Sequence, residues 1–126
     1  MTTALWMVLV AAILPYLWAI LAKSARGYDN HAPRAQLATA TGWRKRADWA
    51  QQNAFEAFAP FAAAVVIAHL LIGPSMRADA LASGFIAFRL LHGVLYMLDK
   101  ATLRSLAWVG GFSCVIGLFL VAARVI

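Results

Sequence analysis

The stretch ALWMVLVAAILPYLWAILA, Ala4 to Ala22, holds nineteen residues with no charge and one proline, Pro15. An uncharged apolar run of that length is long enough to cross a bilayer as a helix. It lacks the basic residues that precede the core of a secretion signal, since Lys23 is the first cation in the chain. The run is therefore expected to stay as a span. Three similar runs follow: Ala57 to Ile72, Ala80 to Leu98 interrupted by Arg89 and His92, and Ser105 to Ala123. Composition agrees. Apolar residues make up 63% and charged residues 13% of 126, with mean hydropathy +0.75, whereas soluble domains run near ~45–50% and ~25%. The expected architecture is all-α, one integral membrane four-helix bundle with spans at about 4–24, 47–72, 78–98 and 104–124.

Charge gives the bundle a direction. The first connection carries Lys23, Arg26, Arg34, Arg44, Lys45 and Arg46 against Asp29 and Asp48, a net of +4. The second holds Arg77 and Asp79 and nets zero; the third holds Asp99, Lys100 and Arg104 and nets +1. Excess Lys and Arg mark the cytoplasmic side, so the first and third connections are expected there, with both termini opposite. The run Arg44-Lys45-Arg46 reads as a topology signal in contact with anionic lipid headgroups. Nucleic acid is not an expected partner, because most aromatic residues sit in the spans instead of among the cations. Gly27, Asn30, Pro33 and Gly42 make the first connection a partly ordered loop. The second helix can start as early as Trp43, since neither proline nor glycine breaks the chain from Trp43 to Ala59.

With that direction, the polar residues of all four spans fall at one end. Lys23 and Arg26 close the first span; Gln51, Gln52, Asn53 and Glu56 open the second. Arg89, His92 and Tyr96 lie late in the third, and Arg104 and Ser105 open the fourth. Arg89, His92 and Tyr96 are spaced i, i+3, i+7, so they share one helical face, as do Asn53 and Glu56. Away from the span ends Glu56 is the only acid, and Arg89 is the only deep cation. An ion buried in a bilayer needs a partner, which predicts that these two meet. Taken singly, each residue has a plainer role: a structural ion pair for Glu56 and Arg89, an interfacial histidine for His92, belt aromatics for Tyr96, Trp43, Trp49 and Trp108, snorkelling cations for Arg26 and Arg104. Together they describe a site for a small anion that also carries an amine. No metal centre is expected, because His31, His69 and His92 are far apart and no carboxylate pair accompanies them. Lone Cys114 reads as a small core hydrophobe, and Gly110, Gly111 and Gly117 as close helix packing.

The block Asn53-Ala54-Phe55-Glu56-Ala57-Phe58-Ala59-Pro60-Phe61, then Arg89-x-x-His92-x-x-x-Tyr96, then Leu103-Arg104-Ser105, resembles the MAPEG family of membrane-associated proteins in eicosanoid and glutathione metabolism. Tyr16 and Arg26 also fall where that family has a tyrosine and an arginine. The resemblance implies a homotrimer with glutathione as co-substrate, held between subunits at the cytoplasmic side. It implies that Arg26, Gln51, Asn53, Glu56, Arg89, His92 and Tyr96 bind glutathione, Glu56 taking its amine and the arginines its carboxylates. Arg104 and Ser105 would be catalytic, favouring thiolate for attack on a hydrophobic electrophile or hydroperoxide that arrives from the bilayer. Trp49 and Trp108 depart from the pattern, standing where well-studied members carry an arginine and often a tyrosine. Two other classes fit four spans: a small multidrug exporter with an intramembrane glutamate, and a non-catalytic membrane scaffold.

Overall fold

Backbone in hydrocarbon has to satisfy its own N–H and C=O groups, which a helix does along its whole length. The computed structural model describes residues 1–126 and is built from helices α1 (Thr3–Lys23), α2 (Pro33–Ala38), α3 (Gly42–Ile72), α4 (Met76–Met97) and α5 (Ala101–Ala122). All but α2 are long and apolar enough to cross a membrane, and the protein is an integral membrane helical bundle. At 31 residues α3 is about 47 Å long. That exceeds a ~30 Å hydrocarbon layer by several turns, so its first turns stand clear of the span. α3 runs unbroken through Pro60. The first connection is more ordered than its turn residues suggest, since Pro33 at the start of α2 presets a helical φ.

α1 packs on α3 and α4, and α5 on α4 and α3. The shared core is made mostly of small residues, with Phe61 and Phe85 stacked at its centre, ring centroids 3.9 Å apart and 5° from parallel. Glycines let the helices approach. A methyl group at Gly93 would overlap the ring of Trp18, one at Gly110 would meet Phe88 at 2.6 Å, and one at Gly117 would meet Leu81 at 3.0 Å. Cys114 is buried in the same core.

The two ends of the bundle are closed differently. At the end where α1 finishes, three consecutive residues of α3 each reach the C-terminus of a different helix. Arg44 Nε donates to Ala22 O of α1 at 3.0 Å, and Lys45 Nζ to Leu37 O of α2 at 3.0 Å. Arg46 Nε donates to Met97 O of α4 at 3.1 Å. Successive residues point ~100° apart around a helix, so a run of three addresses three neighbours. Each cation meets carbonyls that have no partner within their own helix, at the negative end of its dipole. The run expected to lie against lipid headgroups is thus turned inward, and all three side chains are half-buried. At the opposite end Asp79, in the first turn of α4, accepts from Ala4 N of α1 at 2.7 Å. One carboxylate serves two helix N-termini. In the exposed loop before α2, the backbone N–H of His31, then its ring, bonds Asp29 and holds that carboxyl below its ordinary pKa.

Gly93→Ala is expected to destabilise the bundle by about 1–3 kcal/mol through overpacking against Trp18. Trp18→Ala in the same chain should cost less than the two substitutions sum to, as read from melting temperatures in detergent.

Candidate functional site

Arg89 is 3% exposed on α4, so its guanidinium needs partners inside the bundle. α5 passes close against its stem because Gly111 has no side chain, and a methyl there would touch Arg89 Cδ at 3.6 Å. From that position Arg89 Nη2 donates to Asn53 Oδ1 at 2.7 Å, and Asn53 Nδ2 in turn donates to Glu56 Oε2 at 3.2 Å. The direct Glu56–Arg89 pair expected from the sequence does not form. Asn53 precedes Glu56 by one turn on the same face and stands between them. An amide accepts and donates at once, so it links the two while Glu56 stays on the exposed side of α3.

Further along α4, His92 is also 3% exposed and packs edge-on to Tyr96, centroids 5.5 Å apart. Tyr96 carries the guanidinium of Arg104 on its face, 4.3 Å from the ring centroid. Arg104 has no carboxylate partner, so its charge is held by a ring face. Ser105 Oγ donates to Ala101 O at 3.1 Å. Its proton is thereby engaged within α5, and its lone pairs remain available.

These side chains border two hollows that share Asn53 and Trp108. One crevice of about 240 Å³ between α3, α4 and α5 is lined at its polar end by Asn53, Glu56 and Arg89 and elsewhere by Pro60, Phe85 and Phe112. A neighbouring one, about 310 Å³, is lined by Asn53, His92, Tyr96, Arg104 and Ser105. Trp108 lines both. Pro60 has no N–H to give the carbonyl of Glu56 four residues earlier, which adds a main-chain acceptor beside the carboxylate. Two buried nitrogens of this region, Arg89 Nε and His92 Nδ1, have no partner in the protein. Buried polar atoms are rarely left so.

Asn53, Glu56, Arg89, His92, Tyr96, Arg104 and Ser105 are therefore brought together within one chain. Gln51 and Arg26 are not. Gln51 lies two residues, or ~200°, around α3 from Asn53, in a separate hollow of about 850 Å³ with Lys23, Arg34, Lys45 and Asp48. Arg26 is exposed in the turn after α1. By sequence, Trp108 belongs to the headgroup belt and Phe112 has no role. The signal that could have found them is spacing: Arg104, Trp108 and Phe112 recur every four residues, which forms one stripe on a helix.

The MAPEG family model matches residues 3–124. Neither the curated proteins nor the solved structures gave a match.

Asn53→Ala should destabilise the protein by about 2 kcal/mol, the cost of stripping a hydrogen bond from a buried charge. Combined with Arg89→Leu it should cost less than the sum, because no guanidinium is then left unpartnered. Denaturation of the two single variants and the double variant in detergent checks this.

Proposed function

The chain belongs to the MAPEG family, and from that premise we propose that it is a membrane-bound glutathione-dependent transferase or peroxidase. The observation that carries the reading is the pair of unpartnered buried nitrogens, Arg89 Nε and His92 Nδ1, beside an exposed acid and a free cation. That set of groups fits glutathione, which brings two carboxylates, an amine and a thiol. Glu56, with its freed main-chain carbonyl, suits the amine. Arg89 offers its Nε–H to a carboxylate, and His92 and Asn53 supply neutral bonds.

The chemistry rests with Arg104 and Ser105. A fixed positive charge lowers the pKa of a nearby thiol by favouring its charged form. Arg104 is suited to this because Tyr96 orients it without neutralising it. Ser105 accepts from an S–H in its present rotamer and donates to a thiolate once turned from Ala101. With an electrophile R–X, the thiolate sulfur forms the C–S bond as X⁻ leaves. With a hydroperoxide, sulfur attacks the distal oxygen, the O–O bond breaks to give an alcohol, and a second glutathione converts the sulfenic acid to disulfide and water. The hydrophobic co-substrate enters from the bilayer along exposed α5 side chains.

Gln51 and Arg26 enter through a neighbouring subunit in this reading. One subunit presents two unlike faces of α3, the Asn53–Glu56 face and the Gln51 face. Joining unlike faces head to tail closes a ring when the rotation between copies is a third of a turn, and a homotrimer with a shared site at each boundary meets that condition. The cation-rich end, by charge asymmetry, faces the cytoplasm.

Purified protein is expected to conjugate glutathione to a reactive aryl halide or to reduce an organic hydroperoxide. Arg104→Ala should lower kcat/KM by about 10²-fold, and Arg104→Lys should recover part of the loss. Raising pH should restore activity to Arg104→Ala, because thiolate then forms without help. A rate independent of pH and of residue 104 would count against the assignment.

A further inference from the structure

The hollow of about 850 Å³ lies between the end of α1, the short helix α2 and the first turns of α3, and its charges do not cancel. Lys45 and Asp48 line it as a pair, Nζ to Oδ2 at 3.4 Å, and Gln52 Nε2 also donates to Asp48 at 3.2 Å. That acid, the one carboxylate of the lining, is therefore engaged. Lys23 and Arg34 line the same hollow and pair with no carboxylate of the chain. The ammonium of Lys23 stands 5.9 Å from the centre of the Tyr28 ring, which positions the side chain without neutralising it. Asp29, the only acid between Lys23 and Arg34 in the sequence, is bonded to His31 instead.

Depth decides what such a hollow meets. A helix crosses hydrocarbon in about 20 residues, and counted back from Ile72 these reach Asn53. Phe55 lines the hollow on the hydrocarbon side of that boundary, and Lys45 and Asp48 on the water side. Lys23 ends the 21-residue span of α1. From Lys45 to Phe55 α3 rises about 15 Å. The hollow thus passes from the headgroup layer into the apolar layer. Its inner edge continues as apolar surface, since Phe55 and Tyr16 meet edge to face with ring centroids 5.7 Å apart and both are exposed. A soluble anion would use the cations alone. A molecule with a phosphate at one end and hydrocarbon at the other uses both parts.

We propose that this hollow binds an anionic phospholipid, with Lys23 and Arg34 on the headgroup phosphate and an acyl chain lying over Phe55 and Tyr16. Headgroup contact then belongs to these two cations, while the run Arg44-Lys45-Arg46 is turned inward to helix ends. Each cation at the membrane surface adds to the attraction for anionic lipid. The proposal stands on the membrane fold and is independent of the glutathione reading.

The test uses the full chain, stripped of lipid, in neutral detergent micelles carrying dioleoyl phosphatidylglycerol or dioleoyl phosphatidylcholine. Both lipids have the same chains and a phosphate, but only the first carries a net charge. Affinity is read from the rise in melting temperature with lipid mole fraction. Phosphatidylglycerol is expected to bind about 25-fold tighter, roughly 5-fold for each free cation. Lys23→Gln with Arg34→Gln should bring the two lipids within about twofold. Arg77→Gln with Lys100→Gln, which removes equal charge outside the hollow, should leave the preference in place. Equal affinity for the two lipids in the unaltered chain overturns the proposal. It is also overturned if the Arg77 and Lys100 changes abolish the preference as fully, because diffuse surface charge then explains it. Glycerol phosphate that displaces the lipid at millimolar concentration would assign the hollow to a soluble phosphate and remove the lipid as occupant. Displacement by glutathione overturns it as well, because Lys23 and Arg34 then belong to a tripeptide site shared with a neighbouring copy.

Discussion

A guanidinium 3% exposed inside a membrane bundle is the constraint around which the rest is arranged. Removing such a charge from water is costly, and the cost is met only when good hydrogen-bond geometry surrounds it. Arg89 obtains that geometry from Asn53, and Asn53 is held in turn by Glu56. The relay fixes the register of α3 against α4, and Gly111 admits α5 against the same side chain. The chain of bonds is nonetheless incomplete, with Nε left over. In the proposed reading, that open donor beside the crevice is kept for a ligand.

The ends of the helices supply the second constraint. Carbonyls at a helix C-terminus have no partner in their own helix, and three such ends gather on one side of the bundle. Arg44, Lys45 and Arg46 meet them one each. This ties α1, α2 and α4 to the first turn of α3 and brings the polar ends of the spans to one level. The site therefore lies in the half of the bundle where these three ties gather.

Much of this was legible in the sequence. Four uncharged or nearly uncharged runs gave the spans, because length in hydrocarbon is a hard requirement. Helical spacing put Arg89, His92 and Tyr96 on one face, and charge asymmetry put them at the same end as Asn53, Glu56, Arg104 and Ser105. The departures have local causes. Treating Glu56 and Arg89 as the only candidates for pairing ignored that an amide one turn away can bond both. The basic run looked like a surface because charge count says nothing about whether carbonyls lie within reach. Gln51 reads as part of the cluster by position along the helix, yet two residues' rotation turns it away. Trp108 reads as a belt aromatic and Phe112 as one more apolar residue of the span; only their place on α5 sets them against a crevice.

Whether the unfilled polar groups await a thiol peptide is the claim on which the functional account turns, and a melting titration addresses it directly. The purified protein is heated in detergent over a glutathione series reaching millimolar concentrations. A ligand that binds only the folded state raises stability with the logarithm of its concentration above Kd, by about 2.7 kcal/mol at a hundredfold excess. The account predicts that rise, with its loss in Glu56→Gln or Arg89→Leu. A melting temperature indifferent to millimolar glutathione would contradict it.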